Sequence, residues 1–302
     1  MIIDAHAHVA DLSLFPTHFL NGMMEVLRQR ALDEQGVTLQ TTLLERIAKH
    51  QLSDPECTKL LSEMKIARID KTVLLIADFG FGEEDSGSSL KSLYHQYSKV
   101  LQANPDKFVV FGGTDPRRGQ WAVDLFEHGI TQLGFRGLKL YPPCGYDLDD
   151  PSLDPYYELC RAHGIPVLAH TGPSLRSMQG DQRYPLSILR AADRFPSVKF
   201  ILGHAAFQSF ETNPSIAVQR RNVYLETSGF QRLLDSVEAI RNHLRTLFDT
   251  IPHQVVFGTD WPVFNIRATQ RDWVLFFENL NVLSRAEKER FFYLNAQEAL
   301  GH

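Results

Sequence analysis

Met1-Ile2-Ile3-Asp4-Ala5-His6-Ala7-His8 opens the chain as an apolar run that finishes on two histidines. Ile2, Ile3 and the small residues after them read as a buried strand. Side chains on a strand alternate between its faces, so His6 and His8 are expected on one face with Asp4 beside them. Two imidazoles on one face of a rigid strand form half of a metal site, because neutral histidine is a common metal ligand. A single His-x-His is a weak signal, and its weight depends on what later stretches add.

Later stretches repeat the pattern. Thr72–Ala77, Phe108–Gly113, Arg136–Tyr141, Pro166–His170, Lys199–His204, Val223–Ser228 and Gln254–Asp260 are short apolar runs, each separated from the next by a helix-length connection. With the opening run they make eight strands. Continuous apolar strands alternating with helices imply a parallel sheet covered on both faces. Eight such repeats predict an α/β chain closed into a (β/α)8 TIM barrel, for which about 250 residues is typical. The chain has 302 residues. The surplus falls in a helical insertion over residues 13–70, after strand one, and in a C-terminal helix opened by the capping box Ser284-Arg285-Ala286-Glu287. Within the insertion, Met23, Met24, Val26 and Leu27, then Leu43, Leu44 and Ile47, form helical stripes with a break at Gly36. Ser53-Asp54-Pro55 reads as a further helix start. No linker or shift in composition interrupts residues 1–302, so one domain is expected.

Hydrophobic residues make up 43% and charged residues 22%, an ordinary globular balance able to fill a large core. A net charge of -5 offers no basic patch for a phosphate backbone, so nucleic acid is a poor partner and a small-molecule substrate a better one. The three cysteines, Cys57, Cys144 and Cys160, show no paired spacing, which suits a reduced, cytoplasmic protein without a disulfide framework. No apolar run approaches a membrane span of about 18 residues, and no signal peptide is visible. A homo-oligomer is compatible with all of this, since many soluble barrels associate.

Chemistry in such barrels gathers at the carboxyl ends of the strands. His6 and His8 fall there on strand one, Lys139 on strand four, His170 on strand five, His204 on strand six and Asp260 on strand eight. The other histidines (His18, His50, His95, His128, His163, His243, His253 and His302) fall in helices, loops or the terminus and are expected to be solvated. Four histidines and an aspartate converging on one rim suit a divalent cation. Without thiolates, zinc is the default, with manganese, iron and nickel as alternatives. Water on bound zinc ionises near pH 7, and a carboxylate such as Asp260 could accept its proton.

Ile3–His8, Gly137-Leu138-Lys139-Leu140-Tyr141-Pro142, Leu168-Ala169-His170-Thr171-Gly172, Gly203-His204-Ala205 and Phe257-Gly258-Thr259-Asp260-Trp261-Pro262 together resemble the amidohydrolase superfamily. More narrowly, they resemble its "amidohydrolase 2" branch of metal-dependent hydrolases and decarboxylases. The resemblance runs from residue 2 to about 300 and is weakest between Ser13 and Asp70. It implies that His6, His8 and Asp260 bind one metal, that Asp260 doubles as proton acceptor and that His170 is a further ligand. His204 would be either a second-metal ligand or a catalytic histidine beside a single metal. Lys139 bears on the metal count. An ammonium has no lone pair and cannot ligate, whereas in binuclear members the lysine at this position is carboxylated to a carbamate that bridges two ions. As an ammonium it would instead bind a substrate carboxylate or pair with a charge inside the barrel mouth.

Two reactions follow. The first expectation is hydrolysis of a lactone, ester or amide by metal-activated water, with one or two zinc ions, or manganese in their place. The alternative is non-oxidative decarboxylation of an aromatic or unsaturated acid at a single metal. A barrel that only binds a ligand is a third reading, disfavoured because a buried polar cluster is costly without an ion. Tyr141, Arg176 and Trp261 are expected to meet the substrate. Phe79, Phe81, Tyr146, Phe207, Phe230, Arg117 and Arg183 are further loop candidates for walls or anion contacts.

Overall fold

Each strand buries both of its faces. Ile3, Val73, Phe111, Leu168, Ile201 and Val256 meet inside the barrel, while neighbours such as Leu74, Val110, Leu202 and Val255 face outward into the layer under the helices. This two-sided burial is why the strands read as continuous apolar runs.

The structure, a computed structural model, describes residues 1–79, 89–171, 186–205, 217–218, 220–230, 236–265 and 268–301. The strands β1 (Ile3–Ala7), β2 (Lys71–Leu75), β3 (Phe108–Gly113), β4 (Leu138–Leu140), β5 (Val167–His170), β6 (Phe200–Gly203), β7 (Val223–Glu226) and β8 (Val255–Val256) pair in chain order, all parallel. Backbone bonds then join the last strand to the first. The Ala5 N–H donates to the Phe257 carbonyl at 3.0 Å, Asp260 N–H to the His6 carbonyl at 2.7 Å and His8 N–H to the Trp261 carbonyl at 2.7 Å. The result is a TIM barrel.

The insertion contains α1 (Thr17–Gln35), which ends at the left-handed Gly36 (φ 66°), and α2 (Thr41–Gln51). Gly36 is the break expected from the sequence. Ser53-Asp54 differs from expectation. These two residues pair antiparallel with Ala10–Asp11, and the helix α3 (Thr58–Ala67) begins later. Asp54 still serves that helix, because its carboxylate accepts the N–H groups of Lys59 (3.0 Å) and Leu60 (2.9 Å) that would otherwise lack acceptors. Helix α3 packs on the helix Gln270–Asn279, as a crossover helix of the barrel would.

The C-terminal capping box is present at Ser284 and Glu287. The helix it opens passes through a π turn at Arg290–Leu294 and continues over Asn295–Ala299. Ala296, Ala299 and Leu300 enter the interior cluster beside Ile3, Tyr224 and Val256, so this segment plugs the barrel at the amino ends of its strands. Among the described residues, no helix is long and apolar enough to cross a membrane.

Candidate metal centre

The seam that closes the barrel also carries its most concentrated polar chemistry. His6 and His8 come from β1, and Asp260 follows β8. The Nε2 atoms of His6 and His8 stand 3.5 and 3.3 Å from Asp260 Oδ1, and all three residues are buried. The opposite ring nitrogens are committed. His8 Nδ1 lies 2.8 Å from the Leu75 carbonyl, which can only accept, so His8 is protonated at Nδ1 and presents a bare Nε2. His6 Nδ1 lies 2.8 Å from Glu226 Oε2, and a carboxylate there has the same effect.

Asp260 Oδ1 is buried without a hydrogen-bond partner, although two imidazole nitrogens stand within 3.5 Å of it. The three ligand atoms lie within 4.8 Å of one another. Two imidazoles with outer acceptors and one carboxylate fit a divalent cation on donor chemistry and orientation.

The backbone aims these groups. His204 (φ 66°) and Asp260 (φ 53°) both adopt the left-handed region directly beyond their strands, a conformation that costs about 1 kcal/mol or more for such residues. Each is tethered: Asp260 N–H to the His6 carbonyl, and His204 N–H to Glu226 Oε2 at 3.2 Å. Gly258 makes the close approach possible. A methyl group there would collide with Glu226 Oε1 and stand 3.1 Å from His6 Cβ.

A ladder of rings leads away from this point. The His204 ring lies 4.8 Å from that of His6 and 4.7 Å from that of His170. Tyr141 lies 4.6 Å from His170, and Phe79 lies 4.7 Å from Tyr141. His204 Nε2 is 4.0 Å from Asp260 Oδ2. His170 thus borders the group through ring contacts and does not join the three ligand atoms that lie within 4.8 Å of one another.

Lys139 points into the same mouth at 1% exposure. Among the described residues it makes no hydrogen bond or ion pair within 4.0 Å. Burial pulls its ammonium down to about 8, with the charges of Asp260 and Glu226 opposing. Burial also holds the His6 and His204 imidazoles below the ordinary histidine range, and pushes the Glu226 carboxyl up.

Other expected residues are placed differently. Asp4 does not join His6 and His8, because the register between β1 and β2 shifts between Asp4 and Ala7. Its carboxylate is taken up instead by Thr259 N–H (2.9 Å), the Thr259 hydroxyl (2.6 Å) and Gln270 Nε2 (2.9 Å). Trp261 is 3% exposed and packs in the large buried apolar cluster that also holds Tyr141 and Phe79. Phe230 is fully buried against Phe277. The Arg117 guanidinium is held by Asp115 and by the Cys144 carbonyl. Arg176, Arg183, Phe81 and Phe207 lie outside the described residues. Of the histidines expected to be solvated, His50, His95, His128, His163 and His253 are exposed, but His18 and His243 are half-buried, and His302 lies outside the described residues.

Glu226 and Ser228 escaped the sequence reading. The signal was available, since Glu226 ends a buried strand as the expected ligands do. What it lacked was any indication that its partner is a histidine on β1.

The amidohydrolase family (Amidohydro_2) matches residues 3–302. A 2-amino-3-carboxymuconate-6-semialdehyde decarboxylase of Dictyostelium discoideum is 26% identical over 130 residues, 41% of this chain, and the match spans only 35% of that relative. A crystal structure of 5-carboxyvanillate decarboxylase from Novosphingobium aromaticivorans, complexed with manganese and 4-hydroxy-3-methoxy-5-nitrobenzoic acid, superposes with a TM-score of 0.69 at 17% identity, covering 99% of this chain and 96% of that one. The 4-oxalomesaconate hydratase of Rhodopseudomonas palustris superposes with a TM-score of 0.64, also at 17% identity, covering 99% and 95%. At such identities the superpositions speak for the fold alone. The match across the whole chain goes further: this protein belongs to the amidohydrolase family.

Proposed function

We propose that this protein is a metal-dependent, non-oxidative decarboxylase of a small aromatic or unsaturated carboxylic acid, with one divalent cation, manganese or zinc, held by His6, His8 and Asp260. The observation that carries a single ion is the state of the second candidate group, His6, His204 and Glu226. Its atoms are already spent on hydrogen bonds: His6 Nδ1 on Glu226, and His204 Nδ1 on the Ser228 hydroxyl at 2.8 Å. The decarboxylases among the proteins this chain resembles support the same ordering, which reverses the first expectation from sequence.

The remaining residues have defined tasks. When bound, the cation would act as a Lewis acid that holds and polarises the substrate's oxygens. Lys139, a buried ammonium with no carboxylate in contact, meets the substrate carboxylate. His170 extends the polar wall beside His204, and Tyr141 with Phe79 lines it with aromatic faces. His204, its ring between those of His6 and His170, is placed to exchange a proton with the substrate. The buried mouth, with Tyr141 and Phe79 on its wall, favours loss of a charged carboxylate as neutral carbon dioxide.

Hydrolysis has one feature in its favour. An amine brought to about 8 keeps a neutral fraction that can take up carbon dioxide as a carbamate, which would recruit a second ion. The test is metal content together with turnover. One equivalent per chain and carbon dioxide release from hydroxybenzoic or unsaturated dicarboxylic acids are expected. Two equivalents, a carboxylated Lys139 and turnover of lactones or esters would overturn the proposal.

A further inference from the structure

The group on the far side of the histidines from the proposed cation has its own logic. Glu226 is completely buried at the end of β7. Its Oε1 accepts the Ser228 N–H, and its Oε2 accepts the His204 N–H at 3.2 Å. Backbone N–H groups can only donate, so both oxygens are engaged as acceptors, the arrangement that suits a carboxylate. The Ser228 hydroxyl lies 2.7 Å from Oε2 and sends its proton there. Having donated, that hydroxyl has only lone pairs left for the two ring nitrogens near it, His204 Nδ1 at 2.8 Å and, more distantly, His6 Nδ1 at 3.5 Å. It therefore accepts the hydrogen bond of an Nδ1–H on His204. His6 Nδ1–H donates to the same Oε2 at 2.8 Å.

We propose that Glu226 and Ser228 are positioning residues that set the tautomers of two site histidines at once, His6 directly and His204 through the Ser228 hydroxyl. Both rings then carry their proton on Nδ1 and turn a bare Nε2 toward Asp260, matching the state that the Leu75 carbonyl imposes on His8. A ring in the opposite tautomer offers Nε2–H, which can neither ligate a cation nor accept a proton. Gly258 belongs to the same device, since any side chain there would occupy the space of the Glu226 carboxylate. The His6 half of the inference rests on reading His6 as a cation ligand; the His204 half does not.

The test uses the full chain labelled with nitrogen-15 histidine, its ring resonances assigned by single substitution, together with Zn2+ binding measured against a competing chelator. In metal-free wild type, both His6 and His204 are expected in the Nδ1–H form. Ser228→Ala should move His204 out of that form while leaving His6 and Zn2+ affinity unchanged, and Ser228→Thr, which keeps the hydroxyl, should restore it. Glu226→Gln should perturb both rings and weaken Zn2+ binding roughly 10–100-fold. Should that variant fail to fold, Glu226→Asp retains the charge but draws it back, and is expected to lose affinity in the same direction. Retention of the Nδ1–H form at His204 in Ser228→Ala would overturn the relay. Wild-type Zn2+ affinity in the folded Glu226 variant would overturn the His6 half. A wild type that binds neither Zn2+ nor Mn2+ would defeat the proposed function instead, and the metal-free ring states would still decide this one.

Discussion

The two ends of this barrel are built from the same eight strands and differ in almost everything else. At the amino ends, Ile3, Tyr224 and Val256 meet Ala296, Ala299 and Leu300 of the C-terminal segment in a buried, mainly apolar plug. At the carboxyl ends, His6, Lys139, His204, Glu226 and Asp260 are nearly as buried, yet every one is polar. Burial stabilises the first end through the hydrophobic effect. At the second end the same burial desolvates charge and is tolerated only through hydrogen bonds and, as proposed, an ion. Stability is concentrated at one mouth and chemistry at the other.

Four substitutions would break or sharpen that contrast. Asp260→Asn removes the one anionic atom facing both imidazoles. Metal retention and turnover are expected to fall by roughly 100-fold or more, beyond the usual effect of losing an outer partner, with the circular dichroism spectrum unchanged; full activity would remove Asp260 from the site.

Lys139→Met tests whether the polar end is held against stability. The buried ammonium titrates at about 8, below its unfolded value of about 10.4. Between those values the unfolded chain binds more protons, so stability rises with pH across that window. Below it, the burial penalty is fully present. The metal-free variant is therefore expected to gain on the order of 3 kcal/mol at pH 7 and to lose turnover. The gain should shrink above pH 8 and vanish above the unfolded value, as denaturant melts at several pH values would reveal. A destabilised variant would mean that Lys139 is stabilised by contacts in the barrel.

Leu300→Ala probes the opposite mouth. It should cost about 2 kcal/mol, the lower end for a buried leucine, while Zn2+ affinity in the folded protein stays the same. A parallel loss of affinity would mean that the two ends are coupled.

The smallest effect belongs to the surface. The Arg245 guanidinium beside Glu287 pulls that carboxyl down to about 2. Its contribution is present above the unfolded value near 4.3 and is lost as pH falls toward 2. Solvent screening limits it to about 0.5 kcal/mol. Glu287→Gln should flatten the acid limb of stability by that amount and leave both mouths untouched.

The strands, their number and the residues at their carboxyl ends were legible in the sequence because each depends on local pattern: an apolar run, a helix-length interval, a polar residue where the run stops. The capping box at Ser284 and the break at Gly36 are equally local, and both are present. Asp4 was misplaced by the same local rule, since strict alternation cannot foresee the register shift between Asp4 and Ala7. Glu226 and Ser228 were invisible as a pair of controls because their meaning comes from His6, on the other side of the barrel's closing seam. The sequence by itself determined the strands and several of the polar side chains that stand where they end. Only the tertiary structure decided which nitrogen of each ring faces inward, because a tautomer is chosen by an acceptor within about 3 Å, and the acceptors here lie on other strands.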